Sequence, residues 1–284
     1  MGDYNVVHAI PWGGAYAFYF FTIGISAALF FLSALSWFRE EYVPLRRPTA
    51  YVSFVLLLVS AALLIGDLSQ PARFFHILLV NYLNFASPLA WGTLNLVLFA
   101  VVSVAYVIAI HKNHVRGSKT LAVIGALLAA SLPIYTGYDL TVHQNRPVWN
   151  TPLIPVLFVA LSLASGAAVA YLLVSSDAVL SKVLRSVMLW TTAGIAAMLV
   201  SMMGTTAYGG VGSELTFMLL TEGSLGFVFV VLGMVVGTLL PIALMLLPQR
   251  RPQMVAAAAV LLLVGGFALR YSILIGGQIV QTYF

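Results

Sequence analysis

Cysteine is absent from the 284-residue chain. That excludes disulfides, thiolate-held iron–sulfur clusters and thiol catalysis within it. Charge is nearly as scarce: Asp, Glu, Lys and Arg make up only 7% of the residues, against about 25% in soluble domains. A chain so poor in charge has no surface suited to water, and the soluble classes are excluded. The net charge of +5 would point to nucleic acid in a soluble protein, but here the basic residues fall in short loops between apolar stretches. Their meaning there is topological, and no nucleic-acid partner is expected. Before residue 12 the sequence carries Asp3 and His8 but neither a basic n-region nor a small-residue cleavage site, so no removable signal peptide is expected.

What is present is hydrophobic: 62% of the chain, gathered into long runs. A spanning helix needs roughly 20 mostly apolar residues, and eight stretches qualify, at approximately 13–38, 50–68, 87–111, 120–138, 153–174, 186–204, 217–247 and 254–275. The expected fold is an all-α integral membrane protein, a single bundle of eight transmembrane helices over residues 1–284. The seventh stretch is too long for one straight span, and Gly223 and Gly226 point to a short surface helix from Ser213 ahead of the true crossing. Gly233 and Gly237, four residues apart, are a small-residue pair suited to close helix packing.

Orientation follows from the basic residues. Arg39, Arg46, Arg47, Lys112, Arg116, Lys119, Lys182, Arg185, Arg250 and Arg251 occupy loops on one side, while only Arg73 and Arg146 occupy loops on the other. The positive-inside rule assigns the first side to the cytoplasm and both termini to the outer, periplasmic side of a prokaryotic plasma membrane. Arg270 alone lies inside a span.

The remaining titratable groups gather at the outer end. Asp3, His8, Asp67, His76, Asp139, His143, Glu214 and Glu222 all fall there, whereas Glu40, Glu41, His111, His114 and Asp177 sit among the cytoplasmic basic residues as solvated charges would. Asp67 lies at the hydrocarbon boundary, where a carboxylate is costly unless it is paired or faces a wet cavity; it is either a functional group or the ion-pair partner of Arg73. Trp12, Tyr16 and Tyr19 open the first span and are either an interfacial aromatic belt or part of a site. Asn81, Asn84, Ser87 and Trp91 add polar groups at the same end. Arg270 is expected to pair with Glu222, the obvious counter-ion, or with Asp67, since a lone arginine in lipid is expensive. The densest concentration is PIYTGYDLTVHQNRPVWNTP at 133–152, which holds Tyr135, Tyr138, Asp139, His143, Asn145 and Arg146. It is either an ordinary polar loop or the centre of a proton-handling site.

Five segments in order carry a resemblance: GDLSQPARFFH, SPLAWGTLN, PIYTGYDL, NRPVWNTPLIPVLF and LRYSILIGGQ. Together they resemble the NrfD-like family, the membrane-anchor subunits of polysulfide reductase and related complexes, from about residue 12 to 278. The resemblance implies a subunit that binds menaquinone or another quinone and carries no haem, iron–sulfur cluster or metal of its own. It implies partners on the outer face: a ferredoxin-like iron–sulfur subunit and a molybdopterin catalytic subunit. Tyr135 matches the tyrosine that bonds the quinone carbonyl, Tyr16 or Tyr19 matches a second ligand, and Asp67 belongs to the same head-group site. Asp67, His76, Glu222 and Arg270 are proton-relay candidates on the same footing.

The chemistry of the residues agrees. A quinone site needs donors to the carbonyls, titratable groups that relay protons, and apolar walls. Two other classes are weighed against it. A di-haem cytochrome b anchor requires paired histidines on facing spans, and the outer candidates His76 and His143 both read as loop residues. A secondary transporter shows inverted repeats and polar groups at the midplane, whereas the polar groups here cluster at one end.

Overall fold

The protein is described by a computed structural model over residues 12–68, 71–72, 76, 87–209, 211–247 and 252–280. Its helices are α1 (Gly14–Leu35), α2 (Arg46–Asp67), α3 (Pro88–His111), α4 (Val115–Thr141), α5 (Leu153–Val174), α6 (Ala178–Tyr208), the short α7 (Val211–Thr221), α8 (Gly223–Leu246) and α9 (Pro252–Ile279). All but α7 are long and apolar enough to cross a membrane, which makes eight candidate spans. Among the described residues there is no strand. Arg73, Asn81, Asn84, Asp3 and His8 lie outside the described residues.

The spans agree with the expected ones at their apolar centres; α2, α4, α6 and α9 run beyond the expected ends, α3 and α5 match them closely, and α1 and α8 are shorter. At the basic face α4 begins at Val115 rather than near 120, and α6 at Ala178 rather than near 186. Charged residues end a hydrophobic run without ending a helix: the backbone bonds continue, and the long Lys and Arg stems carry their heads outward. At the opposite face α4 continues through Pro133 to Thr141, which places Tyr138 and Asp139 on the helix. The break ahead of α8 falls at Glu222 and Gly223, where Gly223 takes φ of 64°. That left-handed turn, open to glycine at little cost, separates α7 from the span.

The spans form two four-helix groups. In one, α1 packs against α2 and α4, and α3 against α4; in the other, α5 packs against α6 and α9, and α9 against α8. Where the groups meet, α1 touches α5 and α9, and α4 touches α5. The three most buried spans are α1, α5 and α9. A helix apolar on every side suits such a central place, and α1 has no charged residue over its whole length.

Lipid gives helices no hydrophobic reason to associate, so close fit and interhelical hydrogen bonds hold them together. Ser26 Oγ donates to the Ser53 carbonyl at 2.8 Å and Ser53 Oγ to the Ser26 carbonyl at 2.7 Å, pinning α1 to α2. Gly237 of α8 lies directly on Gly265 of α9, and Gly233 lies against Leu269. The outer surface is as apolar as the core: Val101, Leu127, Trp190 and Val200 are 63–73% exposed. In water that surface would aggregate; in a bilayer it is simply solvated.

Candidate functional site

The end opposite the basic loops is built from the starts of α1, α3 and α5 and the ends of α4 and α9. Trp12 just precedes α1, and Tyr16 and Tyr19 lie on its first turns, near enough in spacing to share one side. Trp12 stacks on Tyr16 with centroids 4.7 Å apart, and Tyr16 meets Tyr19 at 5.5 Å and Phe20 at 4.8 Å. Tyr16 and Tyr19 are buried. They belong to the protein interior, which sets aside the reading of them as a lipid-facing belt.

Tyr135 and Asp139 stand one turn apart on α4 and share a face. The Tyr135 ring occupies the place where Gly92 of α3 has no side chain; any Cβ at Gly92 would fall inside that ring. Tyr135 is half-buried. Asp139 is 6% exposed, and its Oδ2 has no hydrogen-bond partner among the described residues. Tyr16 lies within electrostatic reach of Asp139, Tyr19, Tyr135 and Asp67, and Asp139 also reaches Tyr19 and Tyr135. Three phenols and a carboxylate from separate sequence regions thus converge.

The other candidates are placed differently. Asp67 ends α2 and is exposed at the rim of the cluster. His76 is exposed in the segment beyond α2, and Glu222 lies between α7 and α8, beside Met218 and Ile279.

Arg270 corrects one expectation. It is 0% exposed, and its partners are the Gly266 carbonyl at 3.0 Å, Ser162 Oγ at 2.9 Å and the Phe158 carbonyl at 3.5 Å, with no acid among the described residues. The counter-ion pair with Glu222 or Asp67 is therefore not formed. Carbonyl dipoles at the crossing of α5 and α9 take the place of a carboxylate. The guanidinium lies 5.7 Å from the Phe158 ring, which in turn lies 5.7 Å from Phe20, one layer inward from Tyr16. Its Nε has no partner among the described residues.

The connection after α4 is no solvated loop. Trp149 is 0% exposed and donates through Nε1 to the Ile273 carbonyl at 2.8 Å, with its indole seated on Gly277. Arg146 is also buried, donates to the Gly277 carbonyl at 2.7 Å, and holds its guanidinium 4.9 Å from the Trp149 ring. His143 meets the edges of Trp12 and Trp149, and Gln278 donates to the Trp12 carbonyl at 2.8 Å. This plug ties the α4–α5 connection to α9 and α1 behind the tyrosines.

From sequence, Asp139 and Arg146 belong to the polar stretch 133–152 but to neither the quinone ligands nor the relay candidates; the structure buries both. The signal for Asp139 was its spacing from Tyr135, which becomes a shared face once α4 is known to reach Thr141. For Arg146 and Trp149 no local signal existed, because their partners lie on α9, more than a hundred residues away.

Such a cluster can donate hydrogen bonds to a carbonyl and take up or release a proton in surroundings largely closed to water. Comparison with known proteins identifies the family. The sequence is 24% identical over 187 residues to a polysulfide reductase chain of Wolinella succinogenes, covering 58% of each. It is 28% identical over 196 residues to a tetrathionate reductase subunit of Salmonella typhimurium, covering 66% of this protein and 55% of the relative. It is 25% identical over 318 aligned positions to the NrfD homolog of Haemophilus influenzae, covering 98% of each. Of the first two relatives it thus spans somewhat more than half the length. The model of the family described as "Polysulphide reductase, NrfD" matches residues 3–281, and the chain belongs to that family.

Proposed function

We propose that this chain is the quinone-binding membrane subunit of a multi-subunit respiratory oxidoreductase, with the quinone head group held among Tyr135, Tyr16, Tyr19 and Asp139. The observation that carries the reading is the convergence of three tyrosines on a buried carboxylate with an unpartnered oxygen at one end of the bundle. An orphaned acceptor in a closed site is costly, and a quinol hydroxyl is a group that satisfies it. A bound quinone supplies two-electron, two-proton chemistry.

The protein's own residues bind, orient and handle protons. The Tyr135 hydroxyl would donate to a quinone carbonyl oxygen, with its ring seated on Gly92. Tyr16 and Tyr19, buried on α1, would supply further wall and donors. Asp139 accepts or returns a proton, and exposed Asp67 and His76 exchange protons with water at that end. Arg270 places a fixed positive charge one layer inward. The cluster lies opposite the basic loops, hence on the periplasmic side of a plasma membrane by the positive-inside rule, and a ferredoxin-like iron–sulfur subunit with a molybdopterin subunit would dock there. That two relatives are single chains of multi-subunit reductases supports a place in such a complex.

Tyr135→Phe tests it, because it keeps the ring on Gly92 and removes only the hydroxyl. One lost neutral hydrogen bond weakens affinity roughly five- to tenfold, at about 1 kcal/mol net, and a lost proton-transfer role slows turnover by about 10². The complex should assemble and reduce or oxidise artificial dyes normally, with quinone- or quinol-linked activity impaired to that extent. Normal quinone-linked turnover and affinity would move the site elsewhere.

A further inference from the structure

At the opposite, basic face a second pocket opens between the end of α1, the start of α2, the end of α3 and the start of α4. Its walls include Trp37, Arg46, Arg47, Asn113, Val115 and Ser118, around a cavity of about 140 Å³. Two arginines enter it from consecutive positions. Arg46 is braced: Nε donates to Ser36 Oγ at 2.9 Å, Nη2 to the Ser36 carbonyl at 2.6 Å, and the guanidinium lies 3.8 Å from the Trp37 ring. Arg47 donates to Asn113 Oδ1 at 2.6 Å, so the α3–α4 turn holds it across the opening. Asn113 takes φ of 55° in that turn. Ser118 lies deeper, wholly buried, and its Oγ has no hydrogen-bond partner among the described residues. The first turn of α4, whose backbone N–H groups favour an anion, starts at Val115 on the same wall.

We infer that this pocket holds the phosphate of an anionic phospholipid. The chemistry it presents is two guanidiniums, a buried hydroxyl and a helix N-terminus, all suited to phosphate oxygens. Glu40 and Glu41 sit on the adjoining turn, exposed, and are not among the pocket walls. Lipid rather than free phosphate is favoured by what continues inward. Arg47, Tyr51, Val55 and Leu58 share one face of α2 by their spacing, and Tyr51 meets His111 of α3 at 3.5 Å. Below that contact Val55, Leu58, Val104 and Ile108 are all exposed apolar residues. They offer a track for acyl chains directly beneath the arginines. Basic pockets between helices on the cytoplasmic side are where acidic head groups settle, and none of these residues belongs to the tyrosine cluster.

Native mass spectrometry of the detergent-purified protein tests the inference, with phosphatidylglycerol and phosphatidylcholine of matched acyl chains offered in equal amounts, alongside thermal stability. Phosphatidylglycerol should be retained preferentially and raise the melting temperature. Arg47→Gln, an exposed and structurally mild change, should lower that retention about fivefold. Arg47→Lys should restore part of it, and Lys182→Gln, on the same face outside the pocket, should leave it unchanged. Equal retention of the two lipids overturns the proposal, as does undiminished retention by Arg47→Gln. If millimolar inorganic phosphate gives the same stabilisation as the lipid, the occupant is a free anion and the lipid assignment falls.

Discussion

Asp139 and Arg270 are buried charges handled in opposite ways, and the difference bears on what each does. Arg270 has its hydrogen-bonding groups largely met by carbonyls and a serine of α5 and α9, an arrangement that holds a charge in place. Asp139 keeps an unpartnered oxygen, an arrangement that leaves a group open to a ligand or a proton. Asp139→Asn keeps the shape and removes the titratable group. It should therefore lower quinone-linked turnover by about 10² while dye-linked activity of the assembled complex is unchanged; equal loss of both would reassign Asp139 to packing. Ser162→Ala removes a partner from the buried guanidinium and should cost about 1.5–3 kcal/mol of stability. Glu222→Gln, at a site remote from Arg270's partners, should stay within about 0.5 kcal/mol. A thermal melt of the two variants side by side separates the carbonyl-and-hydroxyl cradle from the acid pair: a larger loss for Glu222→Gln would restore the pair.

The elements matter because they are glycine-fitted. Gly92 on α3 gives the Tyr135 ring its seat, and Gly277 on α9 does the same for Trp149. Neither glycine carries chemistry, yet each sets where an aromatic side chain lies. Gly92→Ala must push the Tyr135 ring aside or part α3 from α4. Overpacking of this kind costs about 1–3 kcal/mol, and a displaced donor loses its catalytic benefit even when the hydroxyl survives. The expected result is a folded subunit whose quinone-linked turnover falls at least as far as in Tyr135→Phe, read by the same two assays. A Gly92→Ala protein with unimpaired quinone turnover would show that the ring's position is immaterial. The extension of α4 to Thr141 acts at the same scale, since it alone puts Asp139 on the face of Tyr135.

At the scale of the whole molecule the two ends of the bundle differ in chemistry. Eight of the described basic residues, Arg39, Arg46, Arg47, Lys112, Arg116, Lys119, Lys182 and Arg185, lie at one end, and the tyrosine–carboxylate cluster lies at the other. An even number of spans returns the chain to the side from which it began. With no native cysteine in the background, a cysteine introduced at Lys119 should resist a membrane-impermeant thiol reagent in intact cells and react after permeabilisation, while one at exposed Gln144 should react in both. The reverse pattern would invert the topology and place the partner subunits on the other side.

Composition and spacing alone determine that this protein lives in a bilayer, that it offers eight spans, and that titratable groups crowd one end. Those properties are local: run length, loop charge and motif order are complete within a window of the sequence, and the five segments that resemble the NrfD family are read the same way. The long-range contacts were decided only by the tertiary structure. Arg270 shows this most directly, because a charge in a span announces that it needs a partner without saying which, and the crossing of α5 over α9 supplied carbonyls where a carboxylate was expected. Arg146 and Trp149 read as loop residues until α9 brings Gly277 and Ile273 beneath them. Asp139 joins the tyrosines for the same reason: which face of a helix is buried depends on the neighbours that cover it, and those neighbours come from distant parts of the chain.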